Sequence, residues 1–138
     1  YNLMGQESPA VDLQELVKAL GVKNVRMMDP YSLEQIKSAI DASMEEEGPS
    51  VCITTRPCML FPKKIQGEAY YVDLDVCNGC GACFRIGCPS ISRAGEFTEK
   101  GLEKAKIDPV TCTGCTICVQ VCPVDCIHLL EKESKVQD

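Results

Sequence analysis

The sequence predicts an α+β chain in two parts. Residues 1–66 read as a partial α/β unit with parallel strands, residues 67–131 as a small cysteine-rich unit, and residues 132–138 as a polar tail. Three observations predict this. Apolar residues in the first part alternate between helical and strand spacing. Cysteines in the second part recur with a period of 35. The helix–strand–helix–strand order of the first part stops where the cysteine runs begin.

Val11, Leu13, Leu16, Val17 and Leu20 recur at helical spacing, and Gly21 follows as a stop. Two starts suit this helix: Ser8-Pro9, or Asp12 paired with Glu15 three residues on. Asn24 to Met28 is a short apolar run that reads as a strand, broken by Asp29-Pro30. Ser32 caps a second helix, with Gln35 in the capping-box position. Leu33, Ile36, Ile40 and Met44 form its apolar face, and Glu45-Glu46-Glu47 leads to Gly48-Pro49. Val51 to Thr55 is β-branched and apolar, a second strand. A strand–helix–strand of this length predicts a parallel pair with a right-handed crossover.

Parallel sheets need both faces covered. Two strands and two helices in about 66 residues bury too little to stand securely alone. This part is therefore expected to close a larger α/β domain; the alternative is a small adaptor that docks on another subunit. Cys52, mid-strand, is expected to pack as a small hydrophobe. Cys58, after Arg56-Pro57, keeps open a role at a domain junction or active site. Lys63-Lys64 reads as a solvated pair in the connection.

In the second part, Cys77, Cys80 and Cys83 map onto Cys112, Cys115 and Cys118. Tyr71-Val72-Asp73 maps onto Lys106-Ile107-Asp108. Cys88-Pro89 maps onto Cys122-Pro123 with one residue of slippage. Each repeat is expected to run as a short strand, a loop, then a short helix after the Cys-Pro, whose proline suits a first helical turn. Ile91 and Ile127 should begin strands. Ser92 to Ala105, with Gly95 and Gly101, reads as a hairpin-like insertion. The extra residue between Cys83 and Cys88 should be absorbed as a bulge.

C-x-x-C-x-x-C followed by Cys-Pro is the ligand pattern of bacterial-type [4Fe–4S] ferredoxins, and finding it twice is a specific signal. A cubane cluster offers four iron corners, each taking one thiolate. A tight loop reaches three, and in two-cluster ferredoxins the Cys before Pro ligates the other cluster. The pattern then implies cluster I on Cys77, Cys80, Cys83 and Cys122, and cluster II on Cys112, Cys115, Cys118 and Cys88. Gly79, Gly81 and Gly114 would let the loops turn at positive φ. Metal binding and folding should be coupled. No catalytic residue is expected in the chain.

Competing readings fit less well. Structural zinc uses C-x-x-C pairs, but not a third Cys at the same step plus Cys-Pro. Eleven cysteines is an odd count for a disulfide framework. A [3Fe–4S] form is not expected, because all eight ligand positions are filled. Cys126 is surplus; four residues after Cys122, it is expected on the next turn of the same helix face, packing near cluster I. His128, the sole histidine, is expected to be structural. Arg85 either tunes the local field or is a solvated charge.

Net charge is −6, with 14 basic and 20 acidic residues and no basic stripe, which argues against a nucleic-acid partner. No apolar run approaches the roughly 20 residues of a membrane helix. No leader is read in Tyr1 to Gln6, so the cytoplasm is the expected location. The chain begins with Tyr, and a fragment of a longer protein is expected.

Tyr1-Asn2-Leu3-Met4-Gly5-Gln6-Glu7-Ser8-Pro9 resembles the segment after the Mg²⁺–thiamine diphosphate motif of 2-oxoacid:ferredoxin oxidoreductases. Asp29-Pro30-Tyr31, the second helix, and Ser50 to Cys58 look like the end of that thiamine domain in the indolepyruvate ferredoxin oxidoreductase α-subunit branch. A two-cluster domain directly after it is that family's order, so the chain resembles a C-terminal fragment. The Gly-Asp-Gly motif that holds Mg²⁺ and diphosphate is absent from these residues, so the chain alone should neither bind thiamine diphosphate nor catalyse. The resemblance implies that the parent enzyme oxidatively decarboxylates an arylpyruvate with coenzyme A. Electrons would pass through the two clusters to an external ferredoxin, and a second subunit would complete the enzyme. Two alternatives are a free-standing ferredoxin-type carrier with an N-terminal docking domain, and a related enzyme acting on pyruvate or 2-oxoglutarate.

Overall fold

A computed structural model describes residues 4–56 and 67–130, and the chain divides into two compact units between residues 56 and 57. Cys58, Lys63-Lys64 and the polar tail lie outside the described residues.

In the first unit, helix α1 spans Leu13–Ala19. Asp12, not Ser8-Pro9, starts it. Its carboxylate accepts from the N–H groups of Gln14 (2.9 Å) and Glu15 (3.0 Å), two of the donors a helix start leaves unpaired. Strand β1 (Asn24–Met28), helix α2 (Leu33–Glu45) and strand β2 (Ser50–Thr54) follow. Ser32 caps α2, accepting from Gln35 N–H at 3.3 Å. Gln35 reaches further back than a capping box requires, because the Ser32 N–H is already donated to the Asp29 carbonyl at 3.1 Å. Its Oε1 accepts from Asp29 N–H at 3.0 Å instead, tying α2 to the turn that ends β1.

β1 and β2 pair in parallel, from Asn24 opposite Ser50 to Met28 opposite Thr54, as the crossover helix requires. Beyond their carboxyl ends, Arg56 grips Asp29 through Nε (3.0 Å) and Nη2 (2.7 Å) and lies 5.0 Å above the Tyr31 ring. These hydrogen bonds hold the Asp29 carboxyl below its usual range. Among the described residues of this unit, Ala39 is the buried apolar side chain. Leu13, Leu16, Leu20, Met27, Ile40 and Met44 stay 47–81 % exposed. Cys52 is half-buried on β2, its sulfur 3.7 Å from Ser43 Oγ.

The second unit holds strands β3 (Tyr70–Val72), β4 (Ile91–Phe97), β5 (Glu103–Ile107) and β6 (Ile127–Leu129), with helix α3 (Ile117–Val121) and a 3₁₀ turn at Ala82–Ile86. β3 pairs antiparallel with β6, placing Tyr71 opposite His128, whose rings lie 5.9 Å apart. β4 and β5 form the expected hairpin, with an irregularity between Arg93 and Phe97 where Gly95 adopts φ 77°. Arg93 crosses the hairpin to Glu103 at 2.9 Å and stacks 5.3 Å over Phe84.

The helices are not where the repeat predicts them. Both lie before the Cys-Pro, each beginning one residue before the third cysteine of its run and containing it, and turns begin at the prolines. A residue preceding proline is pushed out of the α region. Cys122 accordingly sits at φ −77°, ψ 114° and ends α3. The extra residue of the first run is Gly87, which adopts φ 70° and donates its N–H to the Phe84 carbonyl at 3.2 Å.

Val72, Ala105, Cys118, Cys126 and Ile127 are the buried core, with Tyr70, Phe84, Ile86, Ile91 and Ile107 packed partly around it. Among the described residues, no helix is long and apolar enough to cross a membrane.

Gly114 and Gly95 share a left-handed backbone, φ 70° and 77°, but not a neighbourhood. A Cβ on Gly114 would lie 2.6 Å from the Glu68 carbonyl oxygen, whereas one on Gly95 meets nothing within 4 Å. Gly95→Ala should therefore cost about 1 kcal/mol from conformation alone, and Gly114→Ala about 3 kcal/mol or more as backbone is displaced. Thermal unfolding of the iron-loaded chain under anaerobic conditions measures both; equal losses would contradict the clash.

Candidate metal centre

Each cysteine run is launched by the same turn. Asp73 and Asp108 accept through Oδ1 from the N–H two residues on, Asp75 (2.9 Å) and Val110 (3.0 Å). Their carbonyls accept from the first cysteine of each run, Cys77 N–H and Cys112 N–H, both at 3.0 Å. Aspartate suits this turn because its short side chain stands in for a backbone acceptor. The loops then share a conformation. Gly79 and Gly114 adopt φ 67° and 70°, and Gly81 and Thr116 adopt 72° and 65°. Thr116 does so as a non-glycine residue, a strain of the kind that collects at functional sites. Asn78 adds a further turn in the first loop, accepting from Cys80 N–H at 3.1 Å.

These turns aim thiols inward. Cys77, Cys80 and Cys83 line one cavity, and Cys122, from the far end of the second run, lines it with them. Its empty volume is about 350 Å³ including the open mouth, and Val72, Phe84, Ala105, Val124 and Ile127 supply apolar wall. Burial pushes the Cys83 thiol up, and the neighbouring Cys77, Cys80 and Cys122 push it the same way. In the other run, burial raises Cys118 to about 11, helped by Cys115 and Cys112. Cys88 is half-buried beyond the 3₁₀ turn, which packs against α3. Arg85 is exposed.

Cys122 differs from these. Burial alone would raise its thiol, but the backbone N–H groups of Cys126, Val124 and Asp125 and the Cys126 thiol reverse this, leaving it below the ordinary value. The Cys126 N–H and sulfur each lie 3.5 Å from Cys122 Sγ. Asp125 takes φ 50°, so the turn after Pro123 folds its amides back on the sulfur, an anion-holding nest. Cys126 is therefore not on the next turn of a helix. It returns through this non-helical turn and lines the same cavity. Spacing alone gave it no more than a packing role, because the left-handed Asp125 leaves no pattern in composition.

The donor set fits an iron–sulfur cluster. All ten described cysteines are free thiols. Among the described residues, no three His, Cys, Asp or Glu side chains converge to hold a single ion. Thiols ring a cavity instead, which suits a group that carries its ligands on separated corners.

Residues 76–126 match the family described as "4Fe-4S dicluster domain". The second unit is a ferredoxin-type domain of that class, with two [4Fe–4S] clusters as its cofactors and electron transfer as its role. Most of the chain, both units included, is similar to proteins called "Indolepyruvate oxidoreductase subunit IorA". That of Methanothermobacter thermautotrophicus is 33% identical over 126 residues, covering 90% of this chain and 19% of the relative. That of Thermococcus kodakarensis is 32% identical over 136 residues (94% and 20%), and that of Pyrococcus abyssi 35% over 120 (82% and 18%). The chain spans about a fifth of the length of these relatives.

Among the described residues the core has five buried side chains, of which Val72 and Ile127 are the larger aliphatics, and this sets a limit on stability without metal. Burying each such side chain contributes about 1.5–3 kcal/mol, while ordering each backbone residue costs about 1–2 kcal/mol. Stripping iron anaerobically with a chelator should therefore abolish cooperative unfolding of this unit and collapse the amide NMR dispersion of residues 70–72 and 127–129. An iron-free chain that kept those signals dispersed would contradict the coupling.

Proposed function

We propose that this chain is the electron-relay portion of a 2-oxoacid:ferredoxin oxidoreductase that acts on arylpyruvates such as indolepyruvate. Cluster I is held by Cys77, Cys80, Cys83 and Cys122, and cluster II by Cys112, Cys115, Cys118 and Cys88. The observation that carries this reading is the cavity in which Cys122 joins the three thiols of the first run. The clusters supply one-electron transfer at low potential. The chain's own residues provide the ligands, set apolar wall beside the sulfurs and fix their orientation. Phe84, Val124 and Ile127 wall the first site. The amides of Val124, Asp125 and Cys126 favour Cys122 as thiolate, the form a metal takes.

Residues 1–66 are the closing part of a thiamine-diphosphate-binding α/β domain, residues 67–131 the ferredoxin domain, and residues 132–138 a polar tail. The parallel β1–α2–β2 unit supports the first assignment, as do the exposed apolar residues of α1 and α2. So does the similarity to the IorA proteins, which runs through both units. The complete enzyme would use thiamine diphosphate, Mg²⁺ and coenzyme A, pair with a second subunit and reduce an external ferredoxin in the cytoplasm. A free-standing carrier is less favoured, because the relatives are oxidoreductase subunits about five times the length of the chain.

Anaerobically purified protein should carry about eight irons and give a low-potential EPR signal on reduction. Cys122→Ala should damage the cluster on the Cys77 run and leave that on the Cys112 run intact; four irons in the unaltered chain, or damage to the second cluster instead, would refute the ligand sets. Turnover of arylpyruvates over pyruvate by the complete enzyme tests the substrate class, and the reverse preference would overturn it.

A further inference from the structure

The four thiols of the first cavity have a fifth beside them. Cys126 is 3% exposed and lines the cavity, with its sulfur 3.5 Å from that of Cys122. Four ligands already fill the corners of a cubane, so a fifth thiol has no iron to bind. The contact between the two sulfurs is a hydrogen bond in which either atom could be the donor. Once Cys122 binds iron as thiolate it has no proton to give, and the donor must be Cys126.

The other repeat holds the same position differently. Cys126 and Ser90 each directly precede a strand, and their carbonyls accept from equivalent amides, Asp73 N–H at 2.7 Å and Asp108 N–H at 2.8 Å. Both residues are 3% exposed. The chain thus places a small side chain carrying an X–H group at this buried position twice, as thiol beside the first site and as hydroxyl in the other half.

We infer that Cys126 is a positioning residue for cluster I, whose S–H donates to the Cys122 sulfur and raises the reduction potential of that cluster. This rests on the proposed role of Cys122 as a ligand. The physical reason is charge. Reduction adds an electron to a cluster whose thiolate sulfurs already carry negative charge. A donor on one of those sulfurs stabilises the reduced state more than the oxidised one, and hydrogen bonds to the sulfurs are among the terms that set cluster potentials. Cys126 also gives its backbone N–H to the same sulfur, so side-chain variants remove one donor and leave the amides in place.

The test is an EPR-monitored redox titration of the iron-loaded full chain, comparing Cys126→Ala and Cys126→Ser with the unaltered protein. In Cys126→Ala, one midpoint should move negative and the other stay fixed. At the original midpoint the reduced-to-oxidised ratio of that cluster should fall about threefold, about 30 mV for one electron. Cys126→Ser, which keeps a donor and copies Ser90, should restore or exceed the original value. The deuterium shift of the Fe–S stretch in the Raman spectrum should be kept with Ser and shrink with Ala, where only the amides still donate. Midpoints that do not move, move together, or fall equally in both variants overturn the proposal. Should Ala fail to load eight irons, Ser decides: full loading with a midpoint and a deuterium shift at least as large as in the unaltered protein supports the donor role, and a smaller shift in Ser or loss of the cluster in both overturns it. Cys122→Ala tests the ligand reading separately, because an intact first cluster there would remove Cys122 as a ligand whatever Cys126 does.

Discussion

One crossing governs the second unit: Cys122, at the end of the second run, has to reach the cavity lined by Cys77, Cys80 and Cys83. Local turns can bring three thiols of one run together, but they cannot supply this fourth sulfur. It arrives because β6 pairs with β3, and because the turn after α3 carries the chain from Cys122 straight into β6. The bond from Asp73 N–H to the Cys126 carbonyl, 2.7 Å long, joins that turn to the turn that launches the first run. Sheet pairing and thiol placement are thus one constraint. Loss of the β3–β6 pairing would separate Cys122 from the other three sulfurs, and loss of the group that binds those sulfurs would leave two three-residue strands, too short to hold by themselves.

Electrostatics gives this crossing its cost and its use. Bringing thiols together under apolar cover raises the cost of ionising them, as the upward shifts of Cys83 and Cys118 show. Ionisation is what a metal needs from a thiol. The cavity therefore stores a mismatch that an iron-bearing group relieves, and at Cys122 the backbone offsets part of it in advance. The left-handed backbone at Asp125 is the local cost of that arrangement, as Thr116 is in the other loop. Strain at both places buys orientation of amides and thiols instead of contact area.

Much of this was legible in the sequence because ligand spacing is a rigid requirement. Three cysteines at the same step, repeated after 35 residues, leave little freedom in the loops, and the hairpin at Ser92–Ala105 followed from polar residues with two glycines. The helix positions were misread because Pro89 and Pro123 suit a first helical turn by their missing N–H. The same prolines force the preceding cysteine out of the α region, and that second effect won. Cys126 was underestimated for a related reason. Spacing of four predicts a helical face only where the backbone is helical, and Asp125 takes it elsewhere. In the first unit, Ser32 marks the start of α2, and of the two starts open for α1 the structure takes Asp12 over Ser8-Pro9. The grip of Arg56 on Asp29 joins positions 27 apart and has no periodic signature.

The two units face the same shortage of core and meet it by different means. In the second, apolar side chains gather round thiols, so a bound group can complete an interior that Val72 and Ile127 only begin. The first has no such centre. Its α2 carries an apolar stripe of Leu33, Ile36, Ile40 and Met44, yet Met44 is 81% exposed and Ile40 47%. A parallel pair needs cover on both faces, and a stripe of this kind on a helix is a surface that normally faces a core. A metal cannot supply that cover, because the described side chains of this unit offer apolar surface without converging donors. Only more protein can, and in the proposed reading that protein is the rest of the thiamine-binding domain. The exposed stripe and the thiol-lined cavity are then two expressions of one shortage: each described unit gathers little apolar interior of its own, and in the proposed reading each is completed by what it binds.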